Sequence, residues 1–286
     1  MSFKSSELVL NNKNQVYHLG LHAKDISEKI ILVGDQDRVE LVTSFFDSVE
    51  HKSQHREFVC HTGIYKGKRI TVLSSGIGTD NIDIVVNELD ILANINLETK
   101  ELNAEHKSLE MIRIGTCGIL QSDIPIHQYI LSEMAMGLDN VAHFYDIKFT
   151  PEEESLLEEI KDHCPFPPKV EPYLISTNPE LTAKLEGDKT FKGITLTASG
   201  FYGPQGRAIR LPLKNNWRET LEDSSFQGKA ITNFEMESSA LFAVGRSLGH
   251  SCTTICLGIA NRPTGEFSKD YSVQMNELIK YVLDRF

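Results

Sequence analysis

Apolar residues fall into two kinds of pattern along this chain. Short runs that are apolar at nearly every position are typical of strands buried on both faces, and longer segments with apolar residues every three or four positions are typical of helices. The runs predict strands at Lys29–Val33, Arg56–Thr62, Lys68–Ser74, Met111–Ile114, Gly193–Ser199 and Thr253–Ala260, and the periodic segments predict helices at Asp80–Ile95, from Glu235 to about Leu248 and at Tyr271–Phe286. This alternation indicates an α/β domain with a central mixed sheet.

Local start and turn signals place further elements. Thr150-Pro151-Glu152-Glu153 combines an N-cap, a first-turn proline and the glutamate of a capping box, which predicts a helix through about Asp162. Asn178-Pro179-Glu180 predicts another helix start, and Tyr65-Lys66-Gly67 predicts the turn of a hairpin. The polar stretch 98–109 is typical of a surface insertion.

Composition limits the class of protein. The chain has 286 residues and no linker-like change of composition, so we expect one domain over residues 1–286. A net charge of -11 disfavours nonspecific attraction to nucleic acid or anionic lipid, so a bound phosphate would need a local cluster of arginines. Five scattered cysteines without a C-x-x-C pair, and no apolar run of membrane-spanning length, predict a cytoplasmic protein with free thiols and no membrane or nucleic-acid partner.

Two glutamates, Glu235 and Glu237, stand one residue apart at the predicted start of a helix. A carboxylate there can accept hydrogen bonds from two vicinal hydroxyls, which recognition of a ribose requires. The alternative is that both glutamates only complement the helix dipole. The remaining motifs favour the first interpretation.

Two arginines lie where an anion would bind. Gly34 follows a predicted strand and Arg38 lies in the first turn of the next helix, so backbone N–H groups and a cation would face the anion. An ordinary turn with a solvated Arg38 is the alternative. Arg113 lies inside an apolar strand, where burial is costly without an anionic partner, and Thr116 offers a hydroxyl beside it. Pairing of Arg113 with a core carboxylate is the less favoured alternative.

A glycine-rich loop carries side chains that match a pyrimidine. Phe201 can stack on the ring, Gln205 can both donate to and accept from the O2/N3 edge, and Arg207 can donate to O4. An exposed loop without a ligand is the alternative. Two aromatic residues, an amide and a guanidinium so close together favour a base site.

Two other motifs are incomplete, one as a dinucleotide site and the other as a zinc site. Gly76-Ile77-Gly78 lacks the third glycine of a dinucleotide fingerprint, since Asn81 stands in its place. The pairs His18/His22 and His51/His55 have the spacing of helical zinc ligands, but neither pair has a third ligand nearby. We therefore predict no metal cofactor.

The motifs together resemble those of the nucleoside phosphorylases, and among them most closely the uridine phosphorylases. Asn233-Phe234-Glu235-Met236-Glu237-Ser238 resembles the ribose motif, Arg113-Ile114-Gly115-Thr116 the phosphate motif, and Phe201-Tyr202 with Gln205 and Arg207 the base motif Phe-Tyr-x-x-Gln-x-Arg. The resemblance runs from about His18 to about Arg262. It implies a three-layer α/β/α fold with a central mixed, partly barrel-like sheet, and self-association into homodimer units that form a homohexamer.

The resemblance also implies roles for individual residues. Glu237 and Met236 would bind the ribose with the assistance of Glu235, and His18 of a neighbouring subunit would contact the ribose 5′-hydroxyl. The implied phosphate ligands are Gly34, Arg38, Arg113, Thr116 and, from a neighbouring subunit, Arg56. Arg262 would position Arg207. Gln36 departs from the family's Gly-Asp-Pro-x-Arg pattern, where a proline stands.

The expected activity is the reversible phosphorolysis of uridine to uracil and α-D-ribose 1-phosphate by a pentosyltransferase. Arg207, Gln205, Arg113 and Glu237 would act most directly, with phosphate as co-substrate. The family likeness also allows a potassium ion between subunits near Glu57, although Asn81 replaces the usual serine there. Three alternatives stay open: a purine nucleoside phosphorylase, a nucleosidase that uses water, and an inactive nucleoside-binding protein.

Overall fold

The computed structural model of the chain describes residues 2–286. Its helices are α1 (Gln36–Thr43), α2 (Thr79–Asn94), α3 (Pro151–His163), α4 (Pro179–Lys184), α5 (Ser238–Ser247) and α6 (Ser272–Arg285). Its strands are β1 (Lys29–Val33), β2 (Ser48–His55), β3 (Phe58–Tyr65), β4 (Lys68–Ser74), β5 (Ile95–Asn96), β6 (Glu101–Leu102), β7 (Glu110–Ile119), β8 (Tyr129–Gly137), β9 (Tyr173–Ser176), β10 (Thr190–Thr197), β11 (Ser225–Phe226), β12 (Lys229–Glu235), β13 (Ser251–Asn261) and β14 (Glu266–Phe267).

One mixed sheet contains twelve of the strands described between residues 2 and 286. Its order is β11-β12-β10-β8-β13-β7-β1-β4-β3-β2, with β14 added to β13 and β9 added to β8. β12 also pairs with β7, which closes β7, β12, β10, β8 and β13 into a ring. Parallel pairs such as β1–β7 and antiparallel pairs such as β3–β4 both occur. The expected mixed, partly barrel-like sheet is confirmed.

Helices cover both faces of the open part of the sheet. Ile30 and Leu32 of β1 pack with the apolar faces of α2 and α5, whereas Ile31 and Val33 pack with those of α1 and α6. Successive side chains of a strand point to opposite faces, so a strand covered on both faces must be apolar throughout. This arrangement confirms the α/β/α layering and explains the continuous apolar runs.

Elements with strong local signals lie close to their predicted bounds. The helix predicted at Asp80–Ile95 is α2, and the capping box of α3 is formed, since Thr150 N donates to Glu153 Oε2 at 2.8 Å and Glu153 N donates to Thr150 Oγ1 at 3.2 Å. The hairpin is also confirmed, because Tyr65 pairs with Lys68 across a two-residue turn with positive φ at both positions.

Several predicted boundaries were wrong; the strand predicted at Met111–Ile114, for example, continues as β7 to Ile119. The helix predicted from Glu235 begins at Ser238, because the backbone of Glu235 still pairs with Thr197 as the last residue of β12. The strand predicted from Arg56 begins at Phe58, and Arg56 itself lies in the turn after β2 with φ of +55°. β2 was missed because it is a largely exposed edge strand without an apolar run.

The polar segment is exposed and the thiols are buried. Segment 98–109 is mostly exposed, as predicted for an insertion. All five cysteines are free and buried. Within residues 2–286, no helix combines the length and the apolar character needed to cross a membrane.

Glu153 joins α3 to the rest of the protein, and its replacement by glutamine is expected to lower stability. Besides capping α3, its carboxylate accepts from Ser176 N at 2.7 Å and from Arg246 at 2.6 and 3.1 Å. Breaking a buried ion pair is strongly destabilising, but the Arg246 side chain is 32% exposed, so we expect a loss of about 2 kcal/mol, or roughly 4–8 °C in Tm. Glu154→Gln, at an exposed position of the same helix, is the matched control.

The pH dependence of that stability gives a second readout. Burial disfavours the charge, but the hydrogen bonds from Arg246 and from the backbone of Thr150 and Ser176 outweigh it and lower the pKa of Glu153. A lowered pKa in the folded state means that the stabilisation is complete above the ordinary carboxyl range and is lost as the pH falls through the lowered value. The Tm difference between wild type and Glu153→Gln should therefore shrink on acidification. An equal difference at all pH values would contradict this role.

Candidate active site

A cavity of about 870 Å³ opens where the carboxyl ends of several strands meet. β1 leads into Gly34, β12 into Met236 and β13 into Arg262, an edge at which α/β proteins commonly bind ligands. The predicted residues that line it are Gly34, Arg38, Arg113, Thr116, Phe201, Gln205, Arg207, Glu235, Met236, Glu237 and Arg262. Three motifs that are far apart in the sequence thus share one cavity.

The Arg113 guanidinium lies between the two glutamates of the ribose motif. Its Nη2 contacts Glu237 Oε2, and its Nη1 lies 3.5 Å from Glu235 Oε2. The three side chains are at most 5% exposed. Burial disfavours the charge, but Glu237 and Glu235 outweigh it and raise the pKa of Arg113. Pairing with core carboxylates, the less favoured alternative, is therefore present in the structure, although Arg113 also lines the cavity.

Gly115 makes room for that guanidinium. A Cβ at this position would lie 2.1 Å from Arg113 Nη1 and 2.9 Å from Cys256 Sγ. Neither distance is possible, so any side chain at position 115 would displace the arginine. Nη2 donates to Glu237 and Nη1 donates to Cys256 Sγ at 3.7 Å, whereas, among the described residues, the buried Nε has no acceptor.

Glu235 supports the start of α5 from the preceding strand. Its carboxylate accepts from Thr197 Oγ1 at 2.6 Å, from Glu237 N at 2.9 Å and from Ser238 N at 3.0 and 3.1 Å. These bonds satisfy backbone donors that a helix start leaves free. Glu235 thereby positions Glu237, and its assistance in ribose binding stays a prediction.

Glu237 reaches the cavity from the N-cap position of α5. Its Oε1 accepts from Gly78 N at 2.8 Å, the residue that precedes α2 and has φ of +97°. Burial and the neighbouring Glu235 raise the pKa of Glu237, and Arg113 opposes them only in part. The carboxylate is held by fixed donors on one side of the cavity.

Arg38 is a cation without a carboxylate partner. It lies in the first turn of α1, where Asp35 caps the helix by accepting from Asp37 N at 3.0 Å. Burial and the nearby Arg113 lower the pKa of Arg38. Within residues 2–286, none of the ion pairs includes Arg38, Arg207 or Arg262. An anion in the cavity would therefore meet guanidinium groups that are not neutralised by the protein.

Arg207 contacts both of the other predicted base-binding residues, Phe201 and Gln205. The Arg207 guanidinium lies 3.8 Å from the Phe201 ring centroid, donates to Phe201 O at 2.6 Å and donates to Gln205 Oε1. Arg262 Nη1 donates to Gln205 O at 3.3 Å, and this hydrogen bond links the loop to the end of β13. Burial, with the nearby Arg207, lowers the pKa of Arg262 to about 10, so it stays protonated at neutral pH. The guanidinium thus covers one face of the Phe201 ring, and the stacking of that ring on a base stays a prediction.

His18 and Arg56 do not line the cavity of their own chain. They lie together elsewhere, since the Arg56 guanidinium is 5.3 Å from the Tyr17 ring centroid and Tyr17 packs edge-on against His18. His55 Nδ1 donates to His18 O at 2.7 Å. His18 and Arg56 thus form a surface cluster outside the cavity lining, although Glu57, the neighbour of Arg56, belongs to that lining.

Some cavity residues were missed in the sequence. Glu266 and Phe267 of β14 fold back along β13, where Ala260 pairs with Phe267 across a turn that contains Gly265 at φ of +73°. A buried strand followed by a proline and a glycine within four residues was the signal for this hairpin. Phe267 is 65% exposed, so it adds an apolar side to the cavity mouth.

A second cluster of side chains contains potential metal ligands, but the tautomer of its buried histidine does not suit a metal. In residues 2–286, one set of three potential ligands lies within 4.8 Å, namely Asp90, His106 and His250. Leu109 N donates to His250 Nδ1 at 3.2 Å, so Nε2 carries the ring proton, and Asp90 Oδ1 lies 3.3 Å from it. A metal would need the Nε2 lone pair, so these contacts favour a histidine–carboxylate pair. The implied potassium ion near Glu57 stays a prediction.

The chain is similar to known nucleoside phosphorylases in both sequence and structure. Residues 28–286 match the sequence profile of the Phosphorylase superfamily. The uridine phosphorylase of Thermococcus kodakarensis is 29% identical over 267 residues, which cover 93% of this chain and 85% of that protein. A DeoD-type purine nucleoside phosphorylase of Colwellia psychrerythraea is 26% identical over 253 residues, with 87% and 88% covered. The crystal structure of Trypanosoma brucei nucleoside phosphorylase, which shows uridine phosphorylase activity, superposes with a TM-score of 0.89 at 27% identity, covering 97% of this chain and 98% of that chain.

Proposed function

The chain belongs to the phosphorylase superfamily, and we propose that it catalyses the reversible phosphorolysis of uridine to uracil and α-D-ribose 1-phosphate. The observation that carries the proposal is the single cavity shared by a buried carboxylate, Glu237, by the unneutralised cation Arg38, and by the Gln205–Arg207 pair. A nucleoside with phosphate needs these three kinds of group. Relatives at 29% and 27% identity that are named for uridine phosphorylase activity support the proposal.

Phosphate would lie on the side of the cavity formed by the ends of β1 and β7. Arg38 and Arg113 would provide charge, Thr116 a hydroxyl, and Gly34 a close approach to the backbone at the start of α1. Arg56 of a second copy would complete the set.

The ribose would lie between phosphate and base, with its 2′- and 3′-hydroxyls donating to Glu237. The carboxylate is already oriented by Gly78 N and Arg113, so little reorganisation would accompany binding. Met236 would contact the sugar. His18 of a second copy would accept from the 5′-hydroxyl.

The groups around the base favour uracil over a purine. Purine-cleaving members of the family that this chain resembles place a Ser-Asp pair at the end of the strand that is β13 here, and its acid protonates N7 of the departing base. In this chain Ile259-Ala260-Asn261 contains no aspartate, and the amide of Asn261 is occupied. Asn261 Nδ2 donates to Gln121 O and Ile124 O, both at 2.9 Å, and its Oδ1 accepts from Thr264 N at 3.0 Å. Gln205 and Arg207 instead offer donors for the O2 and O4 atoms of a departing uracil.

The proposed reaction breaks the C1′–N1 bond while phosphate oxygen bonds to C1′. The electron pair of the broken bond passes to uracil, where Arg207 and Gln205 would stabilise negative charge at O4 and O2. Positive charge that develops at C1′ would lie next to the phosphate dianion. The protein would contribute position and electrostatic stabilisation, without a covalent intermediate.

The division of the site supports a working unit of at least two copies. His18 and Arg56 do not line the cavity of their own chain, so the copies in a nucleoside site would have to come from a second chain. We propose a homodimer as the catalytic unit, assembled into a homohexamer. The five free thiols support the proposed cytoplasmic location.

Incubation of the protein with uridine, thymidine or inosine, each with and without phosphate, tests the proposal. We expect uracil release from uridine only with phosphate, together with an equal amount of ribose 1-phosphate, because C1′ needs the phosphate nucleophile. Uracil release without phosphate would indicate a nucleosidase. Efficient release of hypoxanthine would indicate a purine phosphorylase, and uridine binding without turnover would indicate a binding protein.

A further inference from the structure

Glu88 is a buried carboxylate on α2 whose hydrogen bonds all lead to one short segment. Its Oε1 accepts from His18 N at 2.9 Å and from His18 Nδ1 at 2.7 Å, and its Oε2 accepts from Leu19 N at 2.7 Å. A buried carboxylate is costly unless such donors surround it. The Glu88 side chain is 9% exposed and that of His18 is 33% exposed, so the carboxylate binds the histidine from the buried side.

These contacts determine which nitrogen of His18 carries the proton. A carboxylate can only accept, so His18 Nδ1 must donate, and Nε2 of the neutral ring is left as an acceptor. Among residues 2–286, the hydrogen bonds of the His18 side chain involve Nδ1 alone. With Nε2 free to accept, His18 has the tautomer that a hydrogen bond from a hydroxyl donor requires.

The backbone around His18 is held as firmly as its ring. His55 Nδ1 donates to His18 O at 2.7 Å. Gly20 has φ of +64°, and a Cβ there would lie 3.2 Å from His55 Cβ, so the glycine lets the segment turn closely over His55. The position of the imidazole is therefore determined at both the main chain and the side chain.

Helix α2 connects this cluster to the cavity. Gly78, immediately before α2, donates to Glu237 Oε1 at 2.8 Å. Glu88 lies ten residues further along, about 15 Å at the rise of an α-helix. One helix thus orients the carboxylate of its own cavity from its start and the histidine of the surface cluster from a position beyond its middle.

We infer that Glu88 is a positioning residue that orients His18 and sets its tautomer for the 5′-hydroxyl of a nucleoside bound by a second copy of the chain. The inference rests on the proposed function. Glu88 itself would touch neither substrate nor phosphate. Its loss should therefore weaken recognition of one hydroxyl rather than the chemistry at C1′.

The test compares kcat/KM for uridine with kcat/KM for 5′-deoxyuridine, which lacks only that hydroxyl. In Glu88→Gln the amide cannot accept all three donors, so we expect the ratio of the two values to fall by about tenfold, mainly through KM for uridine. His18→Ala should lower the ratio to a similar level, and adding Glu88→Gln to His18→Ala should leave it unchanged. Asp83→Asn, on the same helix with its carboxylate bonded to Tyr145, is the control and should keep the wild-type ratio.

Several outcomes would overturn the role of Glu88. An unchanged ratio in Glu88→Gln, or equal losses for both nucleosides, would show that Glu88 serves only the fold. If Glu88→Gln does not fold, Glu88→Asp keeps the charge but is one methylene shorter, and an unchanged ratio there would refute the inference equally. A wild type that cleaves uridine without preferring it to 5′-deoxyuridine would end this inference alone, whereas a wild type inactive on both would also end the proposed function.

Discussion

Replacing Arg207 with alanine is expected to lower kcat for uridine phosphorolysis by about 10²–10³-fold, the usual loss for a transition-state donor. The guanidinium lies in the cavity beside Gln205, and within residues 2–286 it has no ion pair. Burial lowers the pKa of Arg207 from its ordinary high value, yet the group stays charged at neutral pH. Its positive charge is therefore available for the departing uracil.

Two comparisons separate this role from a loss of structure. Arg210→Ala removes an exposed arginine three residues away that does not line the cavity, and it should leave kcat near that of the wild type. 5-Fluorouridine releases a more stable anion, so it should lose less than uridine does in Arg207→Ala. Near-normal turnover of uridine, or equal losses for both nucleosides, would contradict stabilisation of the leaving group.

Replacing Glu237 with glutamine is expected to lower kcat/KM for uridine by about 10²–10⁴-fold. A carboxylate that accepts from two hydroxyls contributes about 1.5–3 kcal/mol through each charge-assisted bond, and an amide oxygen retains only part of it. The preference for uridine over 2′-deoxyuridine should largely disappear in the variant. Arg113 keeps Glu235 as a partner, so the fold should survive, which thermal unfolding can check.

The pH profile supplies an independent readout of Glu237. Burial and Glu235 raise the pKa of this carboxyl, so on acidification it takes up a proton at a higher pH than an ordinary glutamic acid does. If the ionised form binds the ribose, kcat/KM for uridine should fall as the pH drops through the raised value. This fall in kcat/KM should be absent in Glu237→Gln. If the variant keeps both the fall at low pH and the preference for uridine over 2′-deoxyuridine, another group must recognise the ribose.

Arg113 shows how an isolated motif can be interpreted only in part. In the sequence, an arginine in an apolar strand predicts a buried anionic partner, and the motif around it favours phosphate over a core carboxylate. The structure shows the carboxylate pairing, because the guanidinium contacts Glu237, 124 positions further along the chain. Arg113 also lines the cavity, and its contact with phosphate stays a prediction. Sequence spacing could not show that the ribose and phosphate motifs share this residue.

The sequence alone determined the features that depend on near neighbours: the capping box of α3, the two-residue turn at Lys66 and Gly67, and the apolar runs of strands covered on both faces. Only the tertiary structure decided that β12 closes on β7, that Glu235 ends a strand and caps the next helix, and that His18 and Arg56 lie outside their own cavity. The physical reason is the sequence separation of the interacting residues. Turns and caps are set by hydrogen bonds within a few residues, whereas strand register and the meeting of distant side chains depend on how the whole sheet packs.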